Sequence, residues 1–278
     1  MKRAGKYTFC VICFLLLLGG SSPAFSQHTK EVLRLVKEGN FRALEAYVKI
    51  NVTRLHTMEW VIKRTVVDSF QEAVLRVSEM LPAPAGAIAS PISNLEVKML
   101  SGTNRLVYYS YSGSTTEYLG KDKFSITNEL ADSFMNKPVY WQFQQSFRQV
   151  YAADVKWTDL FLTNIVFGDH CGIVGMSPGQ MVRLQSALAQ KKTDSISIWL
   201  QSANTETQLY AIVGLRILQL YGYRLTTDEK RMVAAVRMKK GKVNTCSGCM
   251  VSDESPGEIV KRIEEGEFDY LRKAGGRS

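Results

Sequence analysis

The chain has 278 residues, of which 45% are hydrophobic and 22% charged, with a formal net charge of +9. A chain this long with this much apolar material buries roughly 70–75% of its unfolded surface, which excludes disorder, collagen-like repeats and a polytopic membrane protein. Five cysteines are too few for a disulfide-dense mini-scaffold.

Residues 1–26 read as a removable signal peptide. Lys2, Arg3 and Lys6 make a positive start, Phe9 to Leu18 a short apolar run, and Ala24-Phe25-Ser26 a small-residue cleavage site. The apolar run is about half the ~20 residues that span a bilayer, so the mature chain is expected to begin at Gln27 and not to span a membrane. Removal of the leader leaves 32 basic against 26 acidic residues, a net +6, and the cysteines Cys171, Cys246 and Cys249. An exported chain of that charge seldom meets nucleic acid, and its compartment, periplasm or extracellular space, permits disulfides.

Residues 27–135 are expected to hold a helical hairpin and a small antiparallel sheet. Val32, Leu33 and Val36, then Phe41, Leu44, Tyr47 and Val48, recur at helical spacing on either side of Gly39-Asn40. The phrase Glu31 to Phe41 is echoed at Glu258 to Phe268, two copies of one helix-turn-helix spelling rather than a repeat array. Residues 55–67 are ambiguous, because a helical stripe competes with the β-branched cluster around Val66. Glu72 to Met80, Leu95 to Leu100, Arg105 to Tyr111 and Glu117 to Leu119 read as strands, with a Pro- and Ala-rich loop at Pro82 to Pro91 and a turn at Ser112-Gly113-Ser114. Tyr108, Tyr109, Tyr111 and Tyr118 are better explained by packing than by sugar or peptide contact.

Residues 136–278 are expected to be helical throughout. Tyr140 to Tyr151 and Trp157 to Val166 are aromatic-rich helical segments. Ser177-Pro178 opens a helix, Asp194 caps a short one to Leu200, Asn204 or Thr205 caps a longer one to Tyr221, and Thr227 with Asp228 and Glu229 opens the last, closed by Gly241. Short loops between these helices suit HEAT-like antiparallel stacking, and a small bundle spells itself the same way. Arg224, Lys230, Arg231, Arg237, Lys239, Lys240 and Lys242 read as a solvated basic face. The fold class is therefore α+β, mostly helical, with a small central sheet.

Chemistry can reside in few places. Cys246-Ser-Gly-Cys249 is a C-x-x-C pair, open to redox work, zinc or a static disulfide. Cys171 follows Asp169 and His170, so His170, Cys171, Cys246 and Cys249 include the ligand types of a Cys3His zinc site. The expected fates of the three mature cysteines are, in order, one disulfide involving two of them, three buried thiols, and zinc. A cysteine nucleophile at Cys171 would need a base, and only His28, His56 and His170 exist. His28 lies in the N-terminal region and His170 adjoins Cys171, which leaves His56.

Gly168-x-His170-Cys171-Gly172 before a helix, Trp199-Leu200 and Leu209-Tyr210-Ala211 on a helix pair, then Cys246-Ser-Gly-Cys249, resembles a group of uncharacterised exported bacterial proteins. That resemblance covers mainly Phe167 to Met250 and implies a small secreted protein with a HEAT-like helical region; the group gives no established activity, so no catalytic residue carries over from it, and no cofactor is expected, zinc being the alternative. The residue set favours a non-enzymatic binding or scaffolding protein of the cell envelope, its partner an envelope protein or other macromolecule. The alternative is a thiol- or zinc-dependent envelope enzyme using Cys171 with Cys246 and Cys249.

Overall fold

The computed structural model describes residues 27–51, 56–83, 89–102, 105–120, 123–172, 175–248 and 250–272. The expected leader and Cys249 lie outside the described residues. The chain is α+β. Helices α1 (Gln27–Lys37) and α2 (Phe41–Ile50) precede strands β1 (His56–Val67), β2 (Phe70–Met80), β3 (Ile92–Gly102), β4 (Arg105–Gly120) and β5 (Lys123–Met135). Helix α3 (Lys137–Tyr151) follows, then an irregular stretch. Helices α4 (Gly179–Ala189), α5 (Thr193–Leu200), α6 (Thr205–Leu220) and α7 (Thr227–Arg237) come next, before a hairpin of β6 (Val243–Ser247) and β7 (Met250–Glu254) and helix α8 (Pro256–Glu264).

The sheet is a five-stranded antiparallel meander in the order β1-β2-β3-β4-β5. Its strands run to 16 residues, longer than the small sheet expected. The ambiguous residues 56–67 belong to it, because pairing with β2 buries Met58, Ile62 and Val66 on the two faces of a half-covered sheet. The turn expected at Ser112-Gly113-Ser114 is instead a register shift within one continuous strand, so Arg105 to Tyr111 and Glu117 to Leu119 are one strand. A bulge lets small residues bend a strand without ending it. Residues 123–135, not expected as a strand, complete the sheet against β4.

Alternation assigns the two faces. Val77, Leu95, Val97, Met99, Tyr109 and Tyr111 lie under Val32, Leu35, Val36, Leu44 and Val48 of α1 and α2. Burial of each such side chain stabilises the fold by about 1.5–3 kcal/mol relative to exposure. Val74 and Leu100 join the helical part in a second cluster, which runs through Phe143, Phe147, Leu184, Tyr210 and Ile259. One core thus takes in residues from both sides of position 135. Tyr108 packs edge-on to Trp157 and stacks on Phe161, and Tyr109 and Tyr111 are buried in the cluster under α1 and α2, so these three tyrosines of β4 pack.

Helix α6 is buried on nearly all sides and is contacted by α4, α5, α7, α8 and β6. This arrangement around one central helix is that of a small bundle. Asn204 caps α6 as expected, accepting from Thr207 N at 2.8 Å. Other expectations need correction. Trp157 to Val166 is not a helix: one 3-10 turn at Trp157–Asp159 gives way to irregular chain, where Phe161 takes φ 61°. Tertiary contacts of its aromatic rings override helical spacing there. Pro178 rather than Ser177 stands at the start of α4 and offers no side-chain cap, and Lys192 precedes α5 with Asp194 in its first turn. The capping box of α7 is Thr226 with Glu229, and α8 follows it as a further helix. Within the region expected to be helical throughout, Val243–Ser247 and Met250–Glu254 instead form the β6–β7 hairpin.

The echoed phrase has one geometry. Gly39 and Gly266 both take positive φ, and Gly39 N and Asn40 N donate to Val36 O and Leu35 O just as Gly266 N and Glu267 N donate to Ile263 O and Arg262 O. This Schellman pattern requires the left-handed residue that glycine supplies without strain.

Candidate functional site

The disulfide joins Cys171 to Cys246, with Cα atoms 5.5 Å apart, inside the range a bridge needs. Residues 167–172 lie alongside β6 as a short parallel ladder: Phe167 N donates to Asn244 O, Cys246 N to Phe167 O, Gly248 N to His170 O and Gly172 N to Gly248 O, all within 2.7–2.9 Å. Tyr210 of α6 holds the same segment, accepting from Gly168 N at 3.0 Å and facing Val166 O and Gly168 O at 2.9 Å. Burial pushes its phenol well above the ordinary range.

The expected cluster is therefore partly assembled. Cys171 and Cys246 meet, and the bond between them occupies both thiols; Cys249 lies outside the described residues. His170 is more than half exposed, and its Nδ1 is 3.0 Å from Asp169 Oδ2. Asp169 also accepts from Tyr270 OH at 2.8 Å. Burial would raise the Asp169 carboxyl, but the bonds from Tyr270 and His170 outweigh it and hold the group below the usual carboxylate range. A nucleophile at Cys171 or a zinc site on Cys171 and Cys246 would exist only after reduction of the disulfide. His28, expected near a loose terminus, sits on α1 with Nδ1 2.6 Å from Tyr47 OH. His56 begins β1.

The strongest electrostatic feature was not legible in the sequence. Arg64 of β1, Glu72 of β2, Glu206 of α6 and Lys239 after α7 are all at most 6% exposed. Arg64 Nε donates to Glu72 Oε1 at 2.8 Å and its Nη1 to Glu206 Oε1 at 2.5 Å. Phe161 N supplies a further bond to Glu72 at 2.7 Å, and Asn204 Nδ2 one to Glu206 at 3.0 Å. Lys239 Nζ donates to Gln208 Oε1 at 2.6 Å and Thr205 Oγ1 at 3.2 Å, and lies 5.6 Å from the Tyr151 ring centre. Burial, helped by the nearby Arg64 charge, pushes the Lys239 amine down to about 7, against the opposing pull of Glu72 and Glu206. Arg64 goes the other way: burial disfavours its charge, but the two carboxylates more than offset that. Lys239 was expected on a solvated face; it points inward because α6 offers it acceptors there. The available signal was Glu206 near the start of a helix apolar on most sides, a position that must be buried.

This cluster underlies a trough. Thr65 N donates to Lys240 O at 2.8 Å, so the residue after Lys239 pairs with the edge of β1. Gly241 closes the contact at φ 100°, where a Cβ would come within 2.3 Å of Lys63 O. On either side of this junction lie two hollows of about 1050 and 610 Å³, which share Glu45, Gln71 and Lys240 in their walls. The first reaches Asn40 and Arg42 at the start of α2 and Asp68 in the β1–β2 turn; the second reaches Trp60, Lys242 and Asp253. Lys63 bridges to Glu45 at 2.7 Å and Lys242 to Asp253 at 3.3 Å. The trough thus carries both signs of charge, contributed by the helical hairpin, the sheet and the C-terminal region. Such a surface can orient a polar chain by hydrogen bonds and ion pairs.

Compared with protein-family models, curated proteins and solved structures, the chain matches none. Among the described residues no group of three or more His, Cys, Asp or Glu side chains is placed to hold a metal ion, and no helix is long and apolar enough to cross a membrane.

Proposed function

We propose that the protein is an exported, non-enzymatic binding or scaffolding protein of the bacterial cell envelope, and that it receives a segment of its macromolecular partner in the trough beside β1. The single observation that carries this reading is the pair of adjoining hollows whose walls share Glu45, Gln71 and Lys240. Arg42 and Lys240 line the larger hollow as cations, ready to meet carboxylate or phosphate groups of a partner. The cross-link of Cys171 to Cys246 suits an oxidising compartment and steadies β6, whose Asn244 reaches the trough.

The test is site-specific photo-crosslinking in the exporting host, with the reactive residue at position 42 and, as control, at position 198. Discrete adducts from position 42 that disappear in Lys240→Glu are expected. Adducts shared by both positions, or none from position 42, would overturn the reading.

A further inference from the structure

We propose that the proton on Lys239 sets how firmly residues 238–242 close against the edge of β1, and so whether the trough keeps its shape. These residues leave the end of α7 and cross the edge of β1 as a strap. Thr65 N donates to Lys240 O at 2.8 Å, and Gly241 pairs with Arg64 in a single antiparallel bridge. Met238 and Lys240 stand in the wall of the larger hollow, and Lys240, Gly241 and Lys242 in that of the smaller. The backbone contact is narrow, and of the five residues Lys239 is the buried one; Met238, Lys240 and Lys242 are exposed. Its side chain therefore pins the strap to the core.

The pin fits a neutral amine. Lys239 Nζ donates to Gln208 Oε1 and Thr205 Oγ1, which match the two N–H bonds of an uncharged amine. An ammonium carries a third, and no further side-chain or backbone acceptor meets it among the described residues; the Tyr151 ring offers a cation–π contact at 5.6 Å. Charged and titratable groups face the amine from four elements: Arg64 on β1, Glu72 on β2, Tyr151 on α3 and Glu206 on α6. Burial, aided by the Arg64 charge, outweighs the pull of Glu72 and Glu206 and lowers the amine to about 7. The Tyr151 phenol, pushed up by its own burial, stays neutral throughout. Release of the strap carries the amine into water, where it holds its proton to about 10.4. Between those values opening takes up one proton, so the opening equilibrium falls about tenfold for each unit of rising pH. Below pH 7 the amine is charged in both states, and opening no longer changes with pH. The strap is thus loosest at and below neutrality and tightest in alkali. Its consequence for a partner rests on the trough being the binding site; the motion of the strap does not.

The experiment is hydrogen exchange of the purified full chain as its host processes it, without partner, read at the Thr65 amide by NMR from about pH 7 to about 9.5. Base-catalysed exchange of an opened amide itself rises about tenfold per pH unit. In the wild type the two dependences cancel, so the Thr65 rate should stay flat over this range, whereas in Lys239→Met it should rise about tenfold per unit. Lys239→Gln takes the place of Lys239→Met if near-UV circular dichroism shows that the latter is not native. Val97, central in β3 between β2 and β4, reports unfolding of the whole sheet and should exchange more slowly than Thr65. A wild-type Thr65 rate that rises about tenfold per unit, a flat rate retained in the variant, or a Thr65 rate equal to that of Val97 would each overturn the proposal. With no partner present, these outcomes are separate from those of the crosslinking at position 42.

Discussion

Lys239 shows how one buried amine ties the stability of the fold to pH. An unfolded lysine holds its proton to about 10.4, whereas burial lowers the Lys239 amine to about 7 in the folded chain. Between those values the unfolded state binds a proton that the folded state has released. Stability therefore rises with pH across that window, and the contribution is lost as pH falls through 7. Lys239→Met removes the titrating group. Its melting temperature, measured by circular dichroism from pH 6 to about 9.5, should rise less with pH than that of the wild type; parallel profiles would sink the assignment. Arg64 is held differently, because both Glu72 and Glu206 bond to it. Removal of one partner of a buried pair leaves an uncompensated charge and costs about 3–5 kcal/mol, which is why this arginine fixes the relation of β1 to α6.

At the scale of elements, the segment 167–172 depends on its neighbours for a defined place. Its one local pairing among the described residues is the bridge of Cys171 to Met176; the ladder to β6, the Tyr210 hydroxyl and the disulfide locate the rest. The Cys171–Cys246 bond spans 75 residues and constrains the unfolded chain accordingly. The double variant Cys171→Ser with Cys246→Ser should lose about 2–5 kcal/mol in urea unfolding, and reductant should destabilise the wild type while leaving the variant unmoved. Equal stability of the two proteins would show that the ladder alone suffices. The strands illustrate a different dependence. Glu72 to Met80 was readable as a strand from alternation, but β5 was not, because nearly all its described side chains are exposed and an edge strand without a buried face leaves no hydrophobic period.

For the whole molecule, the shared core predicts cooperative unfolding. Ile62, Val74 and Leu100 of the sheet belong to the same buried cluster as Phe147 of α3, Tyr210 of α6 and Ile259 of α8. Loss of the sheet exposes the helices to water, and the reverse. Far- and near-UV circular dichroism should follow one coincident transition in denaturant, whereas separate transitions would show that the two parts stand independently. By itself the sequence determined the α+β class, the helical hairpin at the N-terminus, the capped helices from Thr205 and the candidate cysteines. Those features rest on contacts local in the chain, or on periodicities that a one-dimensional string records. Tertiary structure alone decided that Cys171 rather than Cys249 bonds Cys246, that Lys239 turns inward and that the trough forms. Each of these depends on bringing together residues far apart in the chain. Whether a charge faces water or a carboxylate from another element is settled only when the elements pack.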